Sequence, residues 1–251
     1  MHGGMAEEII FDGQDVLVWT DLTPSAPVVV AFGVAPDGQE RRPFAAKFLA
    51  KTQTAAVHVL AKGRHWWQTP DMGPAIAAIR AATAPYSRRI GYSASMGGYG
   101  ILMFSGELDL QHVVVASAQT TISDPSVPMA EGWGVANVLR DDVPGGIPSK
   151  LVPTLIFDPR MAIDAAHARW LGRRHPIREL YTPYSGHQSL KILKQGGMLN
   201  AFARRFVLGD ADASEFRGMY RSSRANSATY RATIAALQSK RRLRTDPAPA
   251  D

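Results

Sequence analysis

The chain has 251 residues, of which 45% are hydrophobic and 20% charged, with a net charge of +6 and no cysteine. That length buries a full core in one large domain, or in a domain plus a tail, and the lack of cysteine excludes disulfides, thiolate nucleophiles and cysteine-ligated zinc. No apolar run reaches the roughly 18 residues needed to cross a bilayer, and residues 1–8 have neither the basic start nor the apolar core of a signal peptide, so a cytoplasmic protein without a membrane span is expected.

The first elements are two short apolar runs, 8–11 (EIIF) and 15–19 (DVLVW), separated by a DGQ turn signal and read as an N-terminal hairpin. Residues 27–33 (PVVVAFG) form a continuous β-branched run of the kind found in a central strand buried on both faces. Residues 54–61 read as another strand, and the adjacent Trp66 and Trp67 beyond it either line a substrate cleft or cover a sheet edge. Ile76, Ile79 and Ala82 recur at helical spacing, which predicts a crossover helix over 72–84.

At 88–100 the sequence reads RRIGYSASMGGYG: an apolar run, small residues around Ser95, glycines, and then the apolar ILMF of a helix. A strand, a sharp turn and a helix are expected there, with Ser93 and Gly97 small enough to flank a residue on a strained turn. Strands then follow at 109–117, 152–157 and 177–182, with a helix between the last two and another after them. Strands and helices alternating at this spacing predict an α/β protein with a mostly parallel, doubly wound sheet and helices on both faces. Residues 118–150, rich in proline and glycine but carrying Met129, Trp133, Val135, Val138 and Leu139, read as a short helical cap inserted at about 120–150.

The stretch around Ser95 resembles the nucleophile elbow of the α/β-hydrolase superfamily, G-x-S-x-G, with Ser93 in place of the first glycine. The resemblance covers about 8–207 and implies a serine hydrolase of the esterase or acyl-hydrolase type. Ser95 would attack an acyl carbonyl, and the backbone N–H of Met96, with one from Gly33 or Val34, would hold the oxyanion. Val34, Trp66 and Trp67 would shape the pocket. Among seven histidines, His187 is the favoured base, because it follows Gly186 at the carboxyl end of the last strand, the edge where open parallel sheets place ligands. His58 and His112 fall in strands and suit the core or a sheet edge, whereas His167 and His175 lie among arginines and read as solvated. The acid stays open between Asp158 at its strand end, Asp164 six residues later where it also reads as a helix N-cap, and Asp124 after the preceding strand.

The glycine-rich segments lack the G-x-x-x-x-G-K-S/T pattern and no histidine and carboxylate set has metal-ligand spacing, so no cofactor and no metal are expected. The resemblance implies as partner a small-molecule or glycan-linked acyl substrate. An acyltransferase using the same residues, or a non-catalytic binding or scaffold protein on the same fold, remains an alternative. Residues 208–251 form a basic helical tail outside the resemblance. From 201 onward ten lysines and arginines face five acidic residues, an excess that accounts for most of the net charge. This pattern reads as a solvated helix face rather than a nucleic-acid or lipid contact.

Overall fold

A computed structural model describes residues 7–23, 27–36, 43–133 and 138–245. Its strands are β1 (Glu7–Asp12), β2 (Val16–Asp21), β3 (Val28–Phe32), β4 (Ala55–Ala61), β5 (Arg89–Ala94), β6 (His112–Ala116), β7 (Thr154–Phe157) and β8 (Arg178–Tyr181). They form one sheet in the order β1-β2-β4-β3-β5-β6-β7-β8. The pairs β1/β2 and β2/β4 are antiparallel, and every pair from β4/β3 to β7/β8 is parallel. The mostly parallel sheet expected from the alternation of elements is the one observed, with the N-terminal hairpin as its antiparallel edge.

The helices are α1 (Ala46–Lys51), α2 (Met72–Thr83), α3 (Ser95–Met103), α4 (Val143–Gly146), α5 (Ala162–Gly172), α6 (Ser189–Gln195), α7 (Leu199–Phe202), α8 (Ala213–Ser223) and α9 (Ala228–Thr245). The period of two along each strand divides the core between the two faces. Val28, Val30 and Phe32 of β3, with Val113 and Val115 of β6, point to one side and pack with α2, α3 and α5. Val29, Val114 and Ala116 point to the other and pack with α1, α6, α7 and α8. Burial on both faces is why these strands are runs of valine rather than alternating patterns.

Three regions differ from the sequence expectation. Among the described residues, the insertion at about 120–150 is mostly irregular chain, with α-helix in the four residues of α4; Val135 lies outside them. Side-chain clamps replace helical bonds there. Asp141 accepts hydrogen bonds from the Thr121 hydroxyl at 2.6 Å and the Ser123 amide at 2.8 Å, and Gln68 receives the amides of Leu139 and Arg140, each at 2.8 Å. The boundary expected at 207, where the resemblance ends, does not fall at an edge of the core, since Phe216 and Tyr220 of α8 are buried in the second cluster. Finally, α5 begins at Ala162, three residues before the expected helix, which puts Asp164 inside its first turn instead of at its N-cap. Among the described residues, no helix is long and apolar enough to cross a membrane.

Candidate active site

Ser95 stands where β5 ends and α3 begins, and its φ of 51° puts a non-glycine residue in the left-handed region. A side chain on such a turn projects away from both flanking elements, at a strain that the surroundings must support. Two contacts support it. The Ser93 hydroxyl donates to the Phe32 carbonyl at 2.6 Å, so the serine that replaces the usual glycine is tied to the neighbouring strand. A Cβ on Gly97 would sit 2.2 Å from the Ser93 hydroxyl and 2.5 Å from the carbonyls of Phe32 and Gly33, so no side chain fits there.

His187 lies on the β8–α6 loop, with Nε2 3.1 Å from the Ser95 hydroxyl and Nδ1 2.7 Å from Oδ1 of Asp164. The imidazole is about a quarter exposed, while the Asp164 carboxylate is 1% exposed. Asp164 sits in the first turn of α5, where unpaired amides and the helix dipole favour a negative charge. With Nδ1–H directed at Asp164, Nε2 is the acceptor for the serine proton. The hydroxyl also lies 3.4 Å from Oε1 of Gln119, a fully buried side chain whose Nε2 has no partner in that orientation. One hydroxyl proton cannot serve two acceptors. Turning the Gln119 amide so that its NH₂ faces Ser95 leaves the serine proton for His187.

The other two aspartates considered for the acid are occupied elsewhere. Asp158 accepts from the amides of Gly186 at 2.8 Å and Arg160 at 2.9 Å. It therefore fastens the loop that carries His187 without touching the imidazole. Gly186 answers that contact with a φ of 56°, a conformation a side chain would strain. Asp124 accepts from the Ser126 hydroxyl at 2.6 Å, the Ser126 amide at 2.9 Å and the Trp170 indole at 2.7 Å. The Ser126 and Trp170 hydrogen bonds, with Arg174 adding its charge, hold the carboxyl down to about 2.

More groups fix the histidine loop from below. Thr182, Ser185 and Ser189 form a buried hydroxyl cluster with Ser117 at 2.9 to 3.1 Å. From the tail side, the Tyr220 hydroxyl of α8 donates to the Pro183 carbonyl at 2.7 Å, and Tyr184 packs edge-on against Tyr230 of α9. Segments beyond 207 thus brace the loop that holds His187.

A cavity of about 210 Å³ opens over Ser95, lined by Val34, Ala35, Arg64, Trp66, Met96, Gly132, Trp133 and His187. Val34 and Trp66, two of the residues expected to shape a pocket, are in that lining, and the Trp133 ring covers His187 at 4.8 Å between centroids. Trp67 does not line the cavity. It turns inward against Phe32, and its indole N–H donates to the Met96 carbonyl at 2.8 Å, stiffening the first turn of α3. Gly33 also departs from its expected role, because its N–H is already bonded to the Val59 carbonyl at 2.7 Å. The neighbouring Val34, like Met96 at the start of α3, is among the residues that line the cavity.

The remaining histidines divide differently from the sequence reading. His58 is buried in β4, and burial lowers it to about 4. His167 and His175 are buried too, not solvated: His175 bonds the Leu151 carbonyl at 2.7 Å, and burial lowers His167 to about 4. Reading α5 as a helix among arginines missed that its inner face also carries His167. Gln119 and Thr120 left no signal either, because they follow β6 in irregular chain and matter only through contacts distant in sequence.

No family model and no curated protein sequence matches the chain. Solved structures match it in three dimensions. The capsule O-acetyltransferase of Neisseria meningitidis serogroup A aligns with a TM-score of 0.60 at 10% identity, covering 83% of this chain and 96% of that one. Est1E from Butyrivibrio proteoclasticus aligns with a TM-score of 0.56 at 11% identity, covering 80% and 97%. A dienelactone hydrolase from Anabaena variabilis aligns with a TM-score of 0.51 at 15% identity, covering 79% and 94%. With the mostly parallel sheet and the turn at Ser95, these likenesses establish that the chain has the α/β-hydrolase fold.

Proposed function

We propose that the protein is a serine hydrolase that cleaves a carboxylic ester, thioester or related acyl bond through an acyl-enzyme on Ser95. One observation carries this reading: the hydrogen-bonded chain from Ser95 through His187 to Asp164, 3.1 Å and 2.7 Å long in its two links, at the floor of a cavity. Ser95 attacks the acyl carbonyl as His187 takes its proton at Nε2, and the buried Asp164 carboxylate stabilises the imidazolium that forms. The amides of Met96 and Val34 face the position of the developing oxyanion. Because these donors are fixed before the substrate arrives, they stabilise its charge without reorganising. His187 returns the proton to the leaving group, then draws one from water to release the acid.

The cavity argues for a short acyl group. Its wall is mostly aromatic and aliphatic, and Trp133 over His187 keeps the reacting carbonyl out of bulk water. Among the described residues, Arg64 is the one lysine or arginine in that lining, at a place where an anionic part of the substrate would meet it.

A second reading has the same acyl-enzyme pass its acyl group to a hydroxyl, for example on a sugar. The likeness to the capsule O-acetyltransferase favours it, and since that enzyme has been solved with CoA, a short acyl thioester is the donor to try. Both readings require Ser95. Hydrolysis of p-nitrophenyl acetate falls about 10⁴-fold or more in Ser95→Ala with the fold intact; equal rates in the two proteins would remove Ser95 from the mechanism. Transfer to added sugar alcohols, followed by mass spectrometry, divides the two readings.

A further inference from the structure

One turn beyond Asp164 on α5, His167 is completely buried. Its Nδ1 accepts the Thr120 amide at 3.1 Å, while the Thr120 hydroxyl donates to the His167 carbonyl at 2.8 Å. An Nδ1 that accepts leaves the ring proton on Nε2. That Nε2–H is buried and meets no acceptor among the described residues, and Oδ2 of Asp164 is buried and meets no donor. The two groups are complementary, they lie three residues apart on one helix face, and Asp164 is the largest charge acting on the His167 ring, ahead of His187 and Asp141. Gln119, the other buried donor nearby, is drawn to the serine hydroxyl.

We propose that His167 is a positioning residue for the acyl-transfer relay, with its Nε2–H as the donor for the second oxygen of Asp164. Side-chain rotation within the buried pair would join them, each group being the partner the other lacks. The relay then runs from Ser95 through His187 and Asp164 to His167 and ends on the Thr120 backbone. A carboxylate held by one oxygen can swing, and one held by both cannot, so His187 keeps the tilt that points Nε2 at Ser95. Residues 119 and 120, adjacent in sequence, then fix both ends of the relay. The inference rests on the assignment of Asp164 as the acid in the proposed mechanism.

The test compares His167→Leu with His167→Gln, since glutamine can accept from Thr120 and donate to Asp164 while leucine can do neither. His167→Leu is expected to lower kcat about 10- to 100-fold with KM little changed. It should also move the acidic limb of the kcat/KM profile to higher pH, because a carboxylate that has lost a donor stabilises the imidazolium more. His167→Gln is expected to recover most of both. Wild-type kcat and profile in a folded His167→Leu would overturn the proposal, as would a His167→Gln variant no better than leucine. If His167→Leu does not fold, the ¹⁵N and ¹H shifts of the His167 Nε2–H in the otherwise native enzyme decide, by moving on Asp164→Asn or, against the proposal, staying put. Full turnover in Ser95→Ala or Asp164→Asn would instead sink the hydrolase mechanism itself, so the two failures are distinguishable.

Discussion

Ser95 takes its position from its own turn and from the one strand beside it, β3, whereas His187 takes its own from segments scattered between residues 117 and 230. On the serine side a strand end, a residue at φ 51° and a glycine without room for a side chain make the turn. On the histidine side Asp158 fastens one end of the loop, Asp164 holds the imidazole, Ser117, Thr182 and Ser189 lock hydroxyls beneath it, and Tyr220 pins Pro183. The lesson concerns where information resides. A residue on a strained turn leaves its mark in adjacent residues, while His187 and Asp164 are brought together by contacts that close only when the sheet is built.

The pair Asp158 and Asp164 offers the sharpest way to break that comparison, and the largest effect. Asp164→Asn keeps the shape but removes the anion facing His187, and kcat is expected to fall by about 10³–10⁴. Asp158→Asn disturbs the Gly186 and Arg160 amides, so kcat should fall roughly tenfold or less, accompanied by a loss of about 1–3 kcal/mol in stability. Steady-state kinetics with urea unfolding on both variants checks this, and equal kcat losses would erase the distinction drawn between them.

A second prediction concerns acid. His58 and His167 are buried and lowered to about 4. Above about pH 6.5 both are neutral folded and unfolded alike; between there and about 4 the unfolded chain binds protons that the folded one refuses, and below that the difference is constant. Stability present at neutral pH is therefore lost as pH falls through this window, by up to about 3 kcal/mol for each histidine. Urea midpoints that stay flat between about pH 7 and pH 4 would contradict the burial of both rings.

The smallest effect on the list belongs to the serine side. Gly97→Ala drives a methyl into the Ser93 hydroxyl and two carbonyls, which should cost about 1–3 kcal/mol and shift Ser95 off its turn. Thermal unfolding and esterase activity measured together should fall together; an unaffected variant would mean the turn has slack that the contacts deny.

How much of this was legible in the sequence follows the same division. The valine runs of β3 and β6 announced strands buried on both faces, and Ser93, Ser95 and Gly97 announced the turn. The position of His187 followed from chain order. The partner of His187 did not, because Asp158 and Asp164 both follow β7 closely, and which of them meets the imidazole depends on α5 starting at Ala162, three residues before the expected helix. Gly33 and Trp67 were assigned by position alone, yet the Gly33 amide is bonded within the sheet, and the Trp67 indole braces α3 from inside. The resemblance ended at 207, yet packing continues beyond it, since Phe216 and Tyr220 supply core on an otherwise basic helix.

The central claim is that Ser95 is a nucleophile activated by His187, and covalent labelling tests it most directly. Incubation with a fluorophosphonate, followed by intact mass and peptide mapping, should give a single adduct on Ser95, absent in Ser95→Ala and strongly slowed in His187→Ala. An unmodified protein, an adduct on another residue, or labelling indifferent to His187 would contradict the account.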